Sequence, residues 1–160
     1  MIINSQRCII TELKATDFQE AVDLFFDEKV RQYLGGIITK EVALDKLNSW
    51  INSEEELYFC VRISESGAFV GIISITEHHD KEFMELSYQF LPEFWGRGIA
   101  GESIRATLDF LRNNSAVKEL VAETQNKNLG SCQLLEKLGF EYINTTIRFG
   151  EEQKIYKFIM

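Results

Sequence analysis

The densest chemistry in the chain lies in the stretch Leu91-Pro92-Glu93-Phe94-Trp95-Gly96-Arg97-Gly98-Ile99-Ala100-Gly101. Pro92 ends an extended run, because proline cannot donate to a sheet ladder. Gly96 and Gly98 then form a turn, and the apolar spacing that follows is helical. The first N–H groups of a helix have no partner inside it. They converge on one place, where the helix dipole adds positive potential. Glycine lets an anion approach the main chain closely, and Arg97 sets a charge beside it. The local physics predicts a phosphate or pyrophosphate site. A strand-to-helix turn that needs glycine only for its own geometry would look the same, since Gly-x-Gly is a short signal.

A second segment narrows the choice: Asn126-Lys127-Asn128-Leu129-Gly130-Ser131, then Leu134-Leu135-Glu136-Lys137-Leu138-Gly139-Phe140. Together the two segments resemble the GNAT N-acetyltransferase superfamily. The branch they look like is that of the ribosomal-protein alanine acetyltransferases (RimJ/RimL-like). Its pattern has a strand ending in P-E-x-W-G-x-G-x-A, then a strand and a helix reading N-x-x-S…L-E-K-x-G-F. Val30-Arg31-Gln32-Tyr33-Leu34 also looks like that branch, and the resemblance spans nearly the whole chain in order.

The resemblance implies a mixed, V-shaped sheet with acetyl-CoA as co-substrate in its splay, between the strand ending at Leu91 and a strand over residues 119–124. Main-chain N–H groups of Arg97, Gly98, Ala100 and Gly101 would hold the pyrophosphate. Phe90 would pair its backbone with the pantetheine arm, and Asn128 and Ser131 would contact the arm or the adenosine side. Trp95 departs from the superfamily's usual Gln or Arg, but this branch commonly carries an aromatic there. Leu135 stands where many relatives have a tyrosine acting as general acid, two residues before Lys137. A side chain without a proton cannot protonate a thiolate, so the acid is another group or water, or none is needed.

Acetyl transfer to an amine needs a neutral amine, a donor for the tetrahedral oxyanion, and reactants held together. For the base, the resemblance points to Glu85, which matches the glutamate of the family's A-E-I-G-Y segment. The family's glycine in that segment is Ser87 here. A carboxylate there could take the amine proton through water. The alternation of Met84, Leu86, Tyr88 and Phe90 with Glu85, Ser87 and Gln89 also fits a plain polar sheet face. His78 and His79, the only histidines, read as exposed turn residues, although one could act as a base. Arg105 and Lys127 read as solvated charges that could attract CoA phosphates. Cys132 reads as helix packing rather than a nucleophile, since the transfer needs no covalent intermediate.

These residues need a scaffold. The periodicity gives strand, helix, helix, three strands, helix, strand, helix, two strands. The fold class is α+β in three layers (α/β/α), with about seven strands flanked by about four helices. The strands fall at residues 8–13, 57–62, 68–75, 83–91, 119–124, 140–147 and 154–159. Thr16 or Asp17 caps a first helix carrying Phe18, Ala21, Val22 and Phe25 on one face. Gly35-Gly36 breaks the backbone, and Thr39 caps a second helix with Ala43, Leu44, Leu47, Trp50 and Ile51 inward. Ile104, Thr107, Leu108 and Leu111 mark a third, and Asn128 caps a fourth that stops at Gly139.

The 160 residues fit one domain, 1–160, and no apolar run approaches a membrane span. No signal peptide is legible at the N-terminus. Cys8, Cys60 and Cys132 lack metal-like spacing and suit a reducing compartment, so the expected location is cytoplasmic. The net charge of −8 argues against nucleic acid. It suits a cationic substrate, although acidity also serves solubility alone. The leading expectation is an N-acetyltransferase that needs no metal and acts on a protein N-terminus or a small amine. A non-catalytic acyl-CoA-binding module is the competing class. An exposed last strand would offer an edge for a homodimer.

Overall fold

The computed structural model describes residues 1–160 as one eight-stranded sheet with helices on both faces. The strands are Ile2–Asn4 (β1), Cys8–Glu12 (β2), Leu57–Ile63 (β3), Phe69–Glu77 (β4), Met84–Phe90 (β5), Glu119–Gln125 (β6), Glu141–Arg148 (β7) and Glu151–Ile159 (β8). Their order is β1-β2-β3-β4-β5-β6-β8-β7. β1 is the strand beyond the expected seven; its three residues carry little alternation to find. All pairs are antiparallel except β5 with β6.

That parallel pair is brief. Only Met84↔Leu120 and Glu85↔Val121 are in register, after which the strands diverge. The V-shaped opening expected between them is therefore present. β4 stays with β5 to its end, and Leu91 N–H donates to Val70 O at 2.9 Å. The next pair inward, Gly71↔Phe90, is the closely spaced kind without ladder bonds. A Cβ on Gly71 would sit 2.1 Å from Gln89 O and 2.8 Å from Phe90 Cα. Glycine at 71 is thus what lets β4 hold β5 where β6 has let go.

The helices are Phe18–Ala21 (α1), Asp23–Phe26 (α2), Glu28–Arg31 (α3), Lys40–Ile51 (α4), Ile99–Asn114 (α5) and Leu129–Leu138 (α6). α5 and α6 cover one face over a core that includes Leu86, Phe90, Ile104, Leu111, Leu120 and Leu135. The other face packs α1 to α4 over Leu24, Phe25, Leu47, Cys60 and Ile72. Thr39 and Asn128 cap α4 and α6 as expected, with Val42 N–H on Thr39 Oγ1 and Ser131 N–H on Asn128 Oδ1. Gly139 ends α6 at φ 95°.

Two expectations are corrected. The first helix is a chain of single turns that starts at Ala15, so its N-cap is Lys14 rather than Thr16 or Asp17. Asp17 stands two residues inside that start, where its Oδ2 closes the helix end by accepting Lys14 N–H while its Oδ1 accepts from Arg62 Nη2, both at 2.9 Å. Its apolar face is nevertheless the expected one: Ala21, Val22 and Phe25 are buried. The last strand is not an edge, because β8 lies between β6 and β7. The free edge is β7, so any strand-to-strand homodimer would form there.

Candidate active site

The glycine-rich turn is built as its residue types require. Gly96 and Gly98 have φ of 69° and 76°, and Gly98 is the N-cap of α5. The N–H groups from Gly96 through Gly101 donate to no other part of the chain. They form an open set of donors at a helix N-terminus, which suits an anion. Arg97 is exposed and folds back, with Nη1 3.4 Å from Glu93 O and its guanidinium over the Phe94 ring.

A strap missed in the sequence fixes this turn. Arg7 donates from Nε to Glu102 Oε2 at 2.7 Å and from Nη1 to Arg97 O at 2.9 Å. Arg7 N–H and the Ser5 hydroxyl both donate to Glu102 Oε1 at 2.6 Å. Partial burial opposes the charge on Glu102, but these donors outweigh it and hold its carboxyl below the usual range. Glu102 in the first turn of a helix was a legible charge; its partner is 95 residues away and left no local signal.

Along β5 the alternation sets the edges. Since Leu91 bonds toward β4, the polar groups of Phe90 and Tyr88 turn toward the splay. Phe90 O is already taken by Trp95 Nε1 at 2.8 Å, so of the Phe90 backbone only the N–H is left for a ligand. This gives Trp95 a local role. Across the splay Ser131 Oγ meets the Tyr88 hydroxyl at 2.6 Å, and Asn128 spends its Oδ1 on the α6 cap. Ala100 and Gly101 are half-buried in the first turn of α5. The open N–H groups, the positive-φ glycines and the unpaired strand edge fit the pyrophosphate and amide-bearing arm of an acyl-CoA. Lys127 is exposed and pairs with Glu151 at 3.1 Å; Arg105 is exposed.

Glu85 is the last β5 residue paired with β6 and sits on the face away from α5 and α6. Its carboxyl is pushed up to about 7, chiefly by burial and further by Glu123, while His78 and Arg148 pull it down. Those neighbours form a network that the sequence did not show. His78 Nε2 is 3.0 Å from Glu123 Oε1, and Arg148 grips both oxygens of Glu123 at 2.7 and 3.0 Å. Glu123 is held below its usual range because these bonds outweigh its burial.

The expectation that both histidines are exposed fails for His78, which is 3% exposed, and holds for His79. The β4–β5 turn folds His78 inward onto β6, a contact with no sequence periodicity behind it. Gln89 adds a buried Oε1 with no hydrogen-bond partner on the same face of β5. A cavity of about 470 Å³ opens beside the end of β5, lined by Phe26, Asp27, Glu28, Lys29, Leu91 and Glu93. The three cysteines are buried and unpaired. No group of three or more His, Cys, Asp or Glu residues is arranged to hold a metal ion, and no helix is long and apolar enough to cross a membrane.

Comparison with known proteins gives this geometry a context. A family model described as Acetyltransferase (GNAT) domain matches residues 7–141. The uncharacterized protein YkkB of Bacillus subtilis is 27% identical over 140 residues, 84% of this chain and 81% of its own length. A solved acetyltransferase from Salmonella typhimurium, which modifies the N-terminal serine of ribosomal protein L7/L12, superposes with a TM-score of 0.87. It is 14% identical, over 100% of this chain and 99% of its own. Spermidine N-acetyltransferase from Vibrio cholerae, solved with CoA and spermine, gives 0.82 at 15% identity, over 96% and 95% of the two chains.

Proposed function

This chain belongs to the GNAT acetyltransferase family, and from that premise we propose that it moves the acetyl group of acetyl-CoA to a primary amine, with a protein N-terminal α-amino group as the preferred acceptor. The observation that carries the reading is the pairing of an open main-chain anion cradle at Gly96 to Gly101 with Glu85 at the mouth of the splay. Acetyl-CoA supplies the activated acyl group. Arg97, Gly98, Ala100 and Gly101 hold its phosphates through their N–H groups, the Phe90 N–H and the Tyr88 edge take the arm, and Asn128 and Ser131 line it from α6.

Glu85 does the proton work. An amine arrives as ammonium and attacks only when neutral. A carboxyl near 7 is half ionised at neutral pH and takes the proton through water. The acceptors rank by their own acidity: an α-amino group, with a pKa of about 8, loses its proton more readily near neutral pH than a lysine-like amine at about 10.4. The resemblance to ribosomal-protein acetyltransferases points the same way.

The acidic lining of the cavity beside β5, with Asp27, Glu28 and Glu93, keeps a small polyamine as the second reading, since it would draw in a cation. Following thiol release from acetyl-CoA against a panel of peptides with free N-termini, polyamines and amino sugars tests both. Turnover on peptides supports the reading, and turnover on polyamines alone replaces it with the second. CoA binding with no release on any amine leaves the non-catalytic module.

A further inference from the structure

The peptide between Arg97 and Gly98 is the movable part of the phosphate cradle. Every peptide bond in the chain is trans, so the carbonyl and the N–H of one peptide point in opposite directions. Arg97 O accepts from Arg7 Nη1 at 2.9 Å, on the side of the β1–β2 turn. α5 lies between that sheet edge and α6. The Gly98 N–H therefore points away from Arg7, toward α6 and the splay that α6 borders through Ser131 and Tyr88. Nothing in the turn itself enforces this aim. Turning a peptide plane over changes only ψ of the residue before it and φ of the residue after it. Here the residue after is Gly98, now at φ 76°, and glycine takes φ of either sign at little cost. Turned over, the peptide would set the Arg97 carbonyl oxygen among the N–H groups of Gly96 to Gly101 and oppose a phosphate. Arg7 is itself braced. Its O accepts from Ser64 N–H at 2.8 Å, and its Nε and N–H hold the two oxygens of Glu102 at 2.7 and 2.6 Å. The one carboxylate in the first turn of α5 is thus spent on the strap.

We propose that Arg7, held by Glu102, is a positioning residue for acetyl-CoA: it locks the Arg97–Gly98 peptide with its N–H toward the pyrophosphate. The proposal rests on the acetyltransferase reading. Arg7 acts through the Gly98 N–H and touches no phosphate itself. A cradle that is correctly aimed for only part of the time binds in proportion to that fraction. Losing the lock therefore lowers affinity without removing any contact of the bound state. The rival explanation is plain charge. Arg7 Nη2 lies 3.4 Å from where a Cβ on Gly98 would stand, close enough to attract an anion directly. The two explanations differ in the sign they give to Glu102. Beside a phosphate, a carboxylate repels; behind Arg7, it anchors the lock.

Calorimetry with CoA reads the lock without an acceptor. Arg7→Met removes one charge-assisted bond to Arg97 O and should raise the CoA dissociation constant about tenfold. Dephospho-CoA, which keeps the pyrophosphate and lacks the 3′-phosphate, should lose as much. Glu102→Gln should also weaken CoA, by about threefold, because the strap loses an ion pair while an oxygen stays for Arg7 N–H and Ser5. Plain charge predicts the reverse, since that variant removes an anion from the site. NMR then looks at the peptide itself. Arg97 and Gly98 form the single Arg-Gly step in the sequence, so carbonyl-labelled arginine with amide-labelled glycine reports that peptide alone. The Gly98 N–H signals of wild type and Arg7→Met should differ in the free proteins and converge when CoA is bound. A general distortion would keep them apart in both states. Should Arg7→Met melt early, Glu102→Gln carries both measurements. Unchanged CoA affinity in Arg7→Met, a loss confined to CoA over dephospho-CoA, tighter CoA in Glu102→Gln, or bound-state signals that stay apart overturns the lock. A wild-type protein that binds no CoA defeats the acetyltransferase reading itself, whereas CoA binding that neither variant weakens defeats only this inference.

Discussion

The two faces of β5 hold their polar groups in opposite ways. On the side of α5 and α6, the recognition elements are main-chain N–H groups left open at Gly96 to Gly101 and along the strand edge. Side chains there serve as fasteners: Arg7 and Glu102 tie the turn, and Trp95 ties Phe90 O. On the side of Glu85, the polar work is done by side-chain charges closed on one another. Glu123 is satisfied by His78 and Arg148, and Glu85 stands beside them without a side-chain partner. A donor common to many enzymes suits a backbone cradle, which asks only for glycine and a helix start. Proton transfer needs a tuned pKa, and that takes charges gathered from separate strands.

Glu85→Gln should break the second side most severely. It removes the base but keeps the shape, so turnover should fall on the order of a hundredfold while acetyl-CoA affinity, read by calorimetry, stays within about twofold. The deficit should shrink toward pH 9 as the free amine becomes neutral unaided. Stability should move the other way. The folded carboxyl sits near 7 against an ordinary 4.5, so the native state binds more protons over that window and loses stability as pH rises through it. Glutamine lacks this liability. The variant's melting temperature should match wild type near pH 4 and exceed it near pH 8. Wild-type rates from pH 6 to 9 would make Glu85 only a polar face residue.

Arg148→Met tests whether the network tunes Glu85 or merely braces the hairpin. It leaves the Glu123 carboxylate, 7% exposed, with His78 alone. Breaking a buried pair costs about 3–5 kcal/mol. Arg148 is 20% exposed, so roughly 2 kcal/mol is expected in urea unfolding at pH 7. Glu123 has a depressed pKa, so its contribution is present above the ordinary carboxylate range and fades as pH falls through its folded value. The gap between variant and wild type should therefore close in acid. Arg148 also pulls the Glu85 carboxyl down, so the acid limb of the pH–rate profile should move to higher pH. An unmoved limb with lost stability would assign Arg148 to bracing alone.

What was legible in the sequence follows the same division. The cradle was visible because glycine, proline and a change of period act locally, and Thr39, Asn128 and Gly139 cap their helices for the same reason. His78, Glu123 and Arg148 lie on a turn and two strands far apart in sequence, and nothing in their own neighbourhoods marks them as partners. The same holds for Arg7. The interior place of β8 was hidden too, because alternation reveals a strand but not its neighbours. Asp17 shows both kinds of contact at once: one oxygen serves the local helix start at Lys14 N–H, and the other meets Arg62, 45 residues on, which leaves no local signal.

The smallest effect expected, and the sharpest test of the backbone cradle, is the contrast between Gly98→Val and Arg97→Ala. Gly98 has φ of 76°, where a β-branched residue is a genuine outlier. A Cβ there would come 3.4 Å from Arg7 Nη2, a flexible side-chain end that can give way, so the backbone conformation and not crowding is the obstacle. The turn must then shift or hold strain on the order of 1–3 kcal/mol. Either way the N–H groups lose their common aim, and the CoA dissociation constant should rise about tenfold or more. Arg97 offers one solvated charge whose guanidinium already rests on Glu93 O and the Phe94 ring. An exposed contact of that kind is worth about 1 kcal/mol or less, so Arg97→Ala should weaken binding by about fivefold at most, and less still at high salt. Calorimetry at two salt concentrations separates the two, with melting curves to confirm that both variants fold. Equal losses in folded proteins would mean that charge, and not the main chain, holds the phosphates.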